Sequence, residues 1–158
     1  MNSCFLGIGT NVGERQNNIC LAVTLLQSIA TVVLQSSIVE TPALLPTNYP
    51  SHWDTPFLNI VIKIQTNFSA IQTFIKVKSI EKQMGRKLLA ERWSPRIIDI
   101  DILTFNNLVY SSNELIIPHA NMHQRDFVLR PLCEIAGNDI HHLLGKTYNY
   151  LLEAIKGN

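Results

Sequence analysis

The chain has 158 residues, 46% hydrophobic and 16% charged, which suits a single domain with a real core over residues 1–158. Its 13 Lys and Arg against 12 Asp and Glu leave a net charge of +1, so no global field points to nucleic acid or to an anionic membrane surface. No apolar run reaches the roughly 20 residues of a membrane span, and MNSCFLGIGTNVGER has no basic segment ahead of a signal core, so the chain reads as cytoplasmic.

In chain order, residues 4–8 predict a short strand and 9–13 a loop. Residues 14–30 predict an amphipathic helix, with Ile19, Leu21, Ala22, Leu25, Leu26 and Ile29 at helical spacing. The β-branched stretch 31–39 predicts one strand. Pro42, Pro46, Asn48, Pro50 and Ser51 make 41–55 a long loop. Residues 57–65 predict the next strand. A second long helix is expected over 70–84, with Ile71, Phe74, Ile75 and Ile80 as core candidates and Gly85 as its stop.

Residues 87–95 predict a second long loop and 97–105 a strand. Asn106-Asn107 signals a turn into a return strand at 108–110. Residues 118–125 read as irregular or short helix, and helices are expected over 127–135 and 148–155. The order β-α-β-β-α-β, then a hairpin and terminal helices, predicts an α+β ferredoxin-like sandwich, with helices on one face of an antiparallel sheet.

Cys4, Cys20 and Cys133 are far apart in apolar surroundings and read as buried reduced thiols. Gly7, Gly9 and Gly13 follow a strand and precede a helix, but G-x-G-x-x-x-G is one residue longer than a dinucleotide fingerprint. A turn that lets backbone approach something closely is the expectation there. His119 and His123 stand four apart, but Ala120 follows the first where the metalloprotease pattern needs Glu. His141-His142 reads as surface loop.

The stretch ERWSPRIIDIDIL, residues 91–103, is the most informative. Asp99 and Asp101 point to the same side of the strand, and Ile98, Ile100 and Ile102 to the other. Two carboxylates about 6.5 to 7 Å apart along a strand repel, so something positive belongs between them. Arg92 and Arg96 are candidates. So is Mg²⁺, which favours carboxylate oxygens and substrate phosphates. A pair of surface aspartates salt-bridged to local arginines is the plainer alternative. Arg86, Lys87, Arg92 and Arg96 lie just upstream, and arginine suits bidentate phosphate contacts. Metal-assisted phosphoryl chemistry follows, with nuclease, phosphatase and kinase all open.

The assembled segments resemble the 6-hydroxymethyl-7,8-dihydropterin pyrophosphokinase family. RWSPRIIDIDIL is similar to its long R-W-G-P-R-x-[ILV]-D-[LI]-D signature. LGIGTNVGER, ETPAL, FLNIVI, IEKQMGR and IPHANMHQRDFVLRPLCEIA resemble its other segments in order, over nearly the whole chain. The resemblance implies the ferredoxin-like fold and transfer of the terminal pyrophosphoryl group of ATP, the co-substrate, to the pterin hydroxymethyl oxygen, releasing AMP. It implies that Asp99 and Asp101 hold two Mg²⁺, that Arg86, Arg92 and Arg96 serve catalysis, and that His119 and Arg125 bind phosphate. Phe74, Lys78, Glu81 and Ile102 would lie at the nucleotide, with Trp93 as a latch onto the loop 43–55 or an anchor for its strand. The pterin would stack between Phe57 and Phe127, hydrogen-bonded by Asn59 and by backbone at Thr41, Pro42 and Leu44.

Loops 9–13, 43–55 and 86–93 are expected to close over the substrates. The family suggests a monomer. Ser94 departs from the family's Gly, and Leu88, Leu89, Ile116, Ala120 and Asn121 also depart, which implies weaker ATP binding or altered closure. A non-catalytic pterin- or nucleotide-binding module and a two-metal nuclease are the competing classes.

Overall fold

The computed structural model describes residues 1–87 and 90–157. Strand β1 (Asn2–Thr10) pairs antiparallel with β4 (Phe57–Thr66) on one side and with β5 (Asp99–Phe105) on the other. Strand β2 (Thr31–Gln35) closes the sheet beyond β4, in the order β2-β4-β1-β5, and β3 (Val39–Thr41) pairs with the start of β4. Helices α1 (Arg15–Leu26) and α2 (Ala70–Gln83) connect the strands. A small hairpin of β6 (Tyr110–Ser111) and β7 (Ile116–Ile117) precedes α3 (Asp126–Ala136). The hairpin β8 (Ile140–His141) with β9 (Lys146–Thr147) leads into α4 (Tyr148–Lys156).

The expected α+β antiparallel sandwich is what forms, but helices cover both faces of the sheet rather than one. Leu6, Ile8, Ile60, Ile62, Ile100 and Ile102 face α1 and α2, where Ile19, Leu26, Val77 and Ile80 meet them. Phe5, Val61 and Leu103 make the opposite face apolar as well, and Val128, Leu129, Leu132, Tyr148 and Leu151 of α3 and α4 bury it. A strand with apolar residues at consecutive positions is apolar on both faces and needs two covers. The apolar residues of 127–155 supply the second.

A register shift between Phe5 and Leu6 sets Thr104 opposite Phe5 and Ile102 opposite Leu6, leaving Leu103 as the extra residue of a β-bulge. Ile102 and Leu103 face opposite sides as alternation requires, and the bulge turns Phe105 back to the α1/α2 core beside Cys4.

Several boundaries differ from the sequence expectation. β1 continues through Thr10, so Gly7 and Gly9 lie in a strand paired on both sides; only Gly13, at φ +70°, needs left-handed backbone. α1 ends at Leu26, and Leu21 is 48% exposed. The stretch 31–39 splits in two. Ser36 keeps one pairing, since its N–H donates to the Val61 carbonyl and its Oγ accepts from the Val61 N–H, while Ser37 turns away from β4. β5 begins at Asp99. Tyr110 pairs with Ile117 rather than continuing the main sheet.

Helix α2 starts on a capping box: Ser69 Oγ accepts from the Gln72 N–H, and Gln72 Oε1 accepts from the Ser69 N–H. Gly85 stops it at φ +97°, as expected. Its buried face is Ala70, Thr73, Val77, Ile80 and Glu81, while Ile71 and Ile75 lie 49% and 59% exposed. The apolar count misled because the inward stripe includes a threonine and a glutamate. Cys4 is buried, but Cys133 is half-buried and Cys20 exposed. No helix among the described residues is long and apolar enough to cross a membrane.

His119 and His123 do not share a helix face, because only a 3-10 turn, Met122–Gln124, forms there. His141 is 2% exposed rather than on a surface loop. Its Nδ1 accepts from the Leu144 N–H, and its Nε2 has no partner among the described residues. Burial, with His123 and His142 adding to it, holds this imidazole below the usual range. A depressed histidine stabilises the fold above its unfolded value, about 6.5, and that contribution is lost as pH falls through the folded value. The melting temperature is accordingly expected to drop further between pH 7.5 and 5.5 for the parent than for His141→Phe. Equal drops by circular dichroism would remove His141 from the acid response.

Candidate active site

The C-terminal end of β1, the starts of β4 and β5, the end of β3 and the start of α3 surround a cleft of about 300 Å³. Its floor is the side of the sheet that carries Asp99 and Asp101. Gly7 and Gly9 leave that floor bare between the neighbouring strands. A Cβ on Gly9 would stand 3.1 Å from Asn59 Oδ1 and 3.4 Å from the Phe57 ring; one on Gly7 would meet the Leu103 side chain at 3.4 Å.

Asp99 is paired on both oxygens. Arg86 Nη1 donates to its Oδ1 at 2.6 Å, and Arg96 Nη1 to its Oδ2 at 3.3 Å. Burial opposes the charge on Asp99, but Arg86 and then Arg96 outweigh it and hold the carboxyl below the usual carboxylate range. Asp101 differs. Lys78 Nζ and His119 Nε2 each stand 3.9 Å from it, beyond hydrogen-bond reach. Burial, and then the charge of Asp99, push Asp101 upward. Burial pushes His119 down, and Arg125 adds to it, against the pull of Asp101.

Glu81 on α2 organises this end of the cleft from beneath. Its Oε1 accepts from Arg86 Nη1 at 2.8 Å, from Lys78 Nζ at 3.2 Å and from the Ile100 N–H at 2.6 Å. Burial pushes its carboxyl up, against the pull of Lys78 and Arg86. Lys78 also donates to the Ile100 carbonyl at 3.1 Å. Arg86 stays charged because Asp99 and Glu81 flank it, despite its own partial burial.

At the other wall, Asn59 Nδ2 donates to Thr41 Oγ1 at 2.8 Å, tying β4 to β3. Thr41, Pro42, Leu44, Phe57, Asn59 and Phe127 all line the cleft, as do Arg92, Trp93, His119 and Arg125. The Arg125 guanidinium lies 5.6 Å from the Phe127 ring centre, and that of Arg92 4.8 Å from the Trp93 ring. Glu81 is reached through Arg86 and Lys78 rather than directly. Ile102, 4% exposed, faces α2 behind the sheet and does not line the cleft. Phe74 lines a separate shallow hollow with Ile71, Tyr110 and Leu115, in contact range of Lys78.

Trp93, not the Ser94 that stands in place of glycine, takes the left-handed backbone, at φ +72°. Ser94 instead closes its turn by donating from N–H and Oγ to the Glu91 carbonyl. Ile116 is on β7, 44% exposed, and Ala120 and Asn121 are exposed. Leu88 and Leu89 lie outside the described residues.

Asn11 is the residue that sequence reasoning did not name. Only 5% exposed, it accepts from the Arg96 N–H at 2.8 Å and donates to the carbonyl and Oγ1 of Thr55. It thus joins the roots of all three long loops. Its partners lie 44 and 85 residues away, so no local pattern marks it.

Among the described residues no cluster of three or more His, Cys, Asp or Glu can hold a metal. The two aspartates nonetheless suit a hard cation. Neither oxygen of Asp101 has a hydrogen-bond donor within reach among the described residues, and one or two carboxylates are what Mg²⁺ takes from a protein when phosphates and waters complete its shell.

Guanidiniums converging on paired carboxylates, beside a ring-walled hollow at the strand ends of an antiparallel α+β sheet, make up the kind of site that phosphoryl-transfer enzymes use. Its kind can be given more closely, for residues 5–137 match the family of 7,8-dihydro-6-hydroxymethylpterin-pyrophosphokinase (HPPK), to which the chain belongs. A 2-amino-4-hydroxy-6-hydroxymethyldihydropteridine pyrophosphokinase of Aquifex aeolicus is 36% identical over 92% of this chain and 88% of its own length. A folate synthesis bifunctional protein of Chlamydia caviae is 37% identical over 91% of this chain, which spans only 32% of that protein. In fold, the wild-type HPPK-DHPS crystal structure from Plasmodium falciparum superposes with a TM-score of 0.73, over 97% of this chain and 44% of that one, at 15% identity.

Proposed function

We propose that residues 1–158 act as one pyrophosphokinase domain that transfers the terminal pyrophosphoryl group of ATP to 6-hydroxymethyl-7,8-dihydropterin, giving AMP and the pterin diphosphate for folate synthesis. The observation that carries this reading is a single cleft that combines two kinds of wall. Phe57, Phe127 and Asn59 offer ring faces and an amide to a flat heterocycle. Asp99, Asp101 and the guanidiniums of Arg86, Arg92, Arg96 and Arg125 offer the charges a triphosphate needs.

In this reading Asp99 and Asp101 hold two Mg²⁺, which when bound neutralise phosphate charge and fix its geometry. Arg86 and Arg96 exchange their pairing with Asp99 for phosphate oxygens. His119 and Arg125 take further phosphate oxygens, and Lys78 and Glu81 hold the α2 side. Asn59, with backbone at Thr41, Pro42 and Leu44, orients the pterin so that its hydroxymethyl oxygen attacks the β-phosphorus in line. The new O–P bond forms as the bond to the AMP oxygen breaks. The parts of the three long segments outside the strands, 11–13, 43–55 and 86–93, close and exclude water, which suppresses hydrolysis. Trp93 helps seat the third loop. The chain works as a cytoplasmic monomer without nucleic acid.

Mixing the protein with ATP, Mg²⁺ and the pterin is expected to yield AMP only when the pterin is present. ADP as the product would mean that the wrong phosphorus is assigned. Pterin binding without AMP would favour the non-catalytic binding module.

A further inference from the structure

Two segments that never meet in sequence grip each other beside the cleft. Glu134 on α3 accepts from the Ser37 N–H at 3.0 Å through Oε1 and from the Ser37 hydroxyl at 2.6 Å through Oε2. Ser37 sits in the break between β2 and β3. Its predecessor Ser36 remains paired with Val61 on β4, and pairing resumes with Val39 opposite Asn59. The Ser37 N–H is therefore a strand donor turned out of the sheet, and Glu134 supplies the acceptor that β4 does not.

Both ends of this grip lead straight to the cleft. Glu134 lies seven residues, about two turns, after Phe127 and on the same face of α3. Four residues after Ser37 comes Thr41, which stands opposite Phe57 in the β3–β4 pairing and accepts from Asn59 Nδ2. The carboxylate thus joins the element that carries one ring wall to the element that backs the other. A charged acceptor with two donors in fixed geometry is stronger than a neutral contact, even at the surface.

We propose that Glu134 is a positioning residue that, by gripping Ser37, sets the separation of the Phe127 wall from the Thr41–Phe57–Asn59 wall, and hence the fit of the flat ring between them. This rests on the pyrophosphokinase reading of the cleft. Glu134 touches neither substrate. The triphosphate end is anchored separately, through Glu81, Arg86 and Asp99.

The test compares the parent with Glu134→Ala, Ser37→Ala, Ser37→Thr and the double alanine variant. Glu134 and Ser37 are exposed, so each variant is expected to fold. KM for 6-hydroxymethyl-7,8-dihydropterin should rise about five- to ten-fold in Glu134→Ala, with KM for ATP unchanged. The double variant should be no worse than Glu134→Ala, and Ser37→Thr, which keeps the hydroxyl, should match the parent. An unchanged pterin KM, or parallel changes in both KM values, overturns the proposal. Amide exchange at Val39, Glu40 and Thr41 should also quicken in Glu134→Ala, and this reads the grip without turnover. A parent that forms no AMP defeats the pyrophosphokinase reading, whereas unaltered exchange defeats the grip itself.

Discussion

Asp101→Asn is expected to lower turnover about a thousand-fold while leaving the protein at least as stable as the parent. Asp101 shares one face of β5 with Asp99, and no donor among the described residues lies within hydrogen-bond distance of it. Burial and the neighbouring charge both work against its ionised form. A residue held so uncomfortably adds nothing to folding. Its neutral amide relieves repulsion and preserves volume, but gives up the free carboxylate that would hold Mg²⁺ against the phosphates in the proposed reaction. AMP formation and a thermal melt on the same preparation decide the matter. Retention of more than a tenth of the parent turnover would take Asp101 out of the chemistry. Asp99→Asn is a poorer test, because it also strands Arg86 and Arg96.

Glu81→Ala should be the most damaging single change to the fold in this region. The carboxylate is 3% exposed and satisfies two cations and one strand N–H at once. Deleting one partner of a buried charge network typically costs about 3 to 5 kcal/mol. For a chain of this size that corresponds to a fall in melting temperature of roughly 10 °C or more. Turnover should fall with it, since Arg86 loses the anchor that presents it to Asp99. Glu81→Gln keeps an acceptor for the Ile100 N–H and should lose less. If the alanine variant melted within about 2 °C of the parent, less than 1 kcal/mol, the network would be an exposed-type pairing of little consequence.

How far the sequence reveals this site depends on distance along the chain. The facing of Asp99 and Asp101 follows from alternation in one strand, and the structure places Ile98, Ile100 and Ile102 on the opposite, α2 side. The end of α2 is legible because Gly85 is a local signal. The second helical layer was hidden, because Phe5, Val61 and Leu103 come from three strands and only their pairing makes them one surface. The split of 31–39 was hidden for a related reason. Its composition is uniformly strand-like, and the acceptor that takes the Ser37 N–H at the break is Glu134, nearly 100 residues later. His141 and Asn11 owe their burial to long-range packing, which spacing does not encode. Phe105 joins the α1/α2 core, away from the side of Leu103, because of the bulge at Leu103, which pure alternation does not foresee.

The bare stretch of β1 between the two working walls has a consequence for selectivity. Where Gly7 and Gly9 cross the floor, the space a side chain would take is already bounded by Asn59 and Phe57 at one position and Leu103 at the other. The depth of the hollow at this point is thereby set by backbone, and the ring proposed to bind there has room only while both positions stay glycine. A single methyl at position 9, 3.1 Å from Asn59 Oδ1, would press on the same amide that is proposed to orient the ring, so it would narrow the hollow from within the protein.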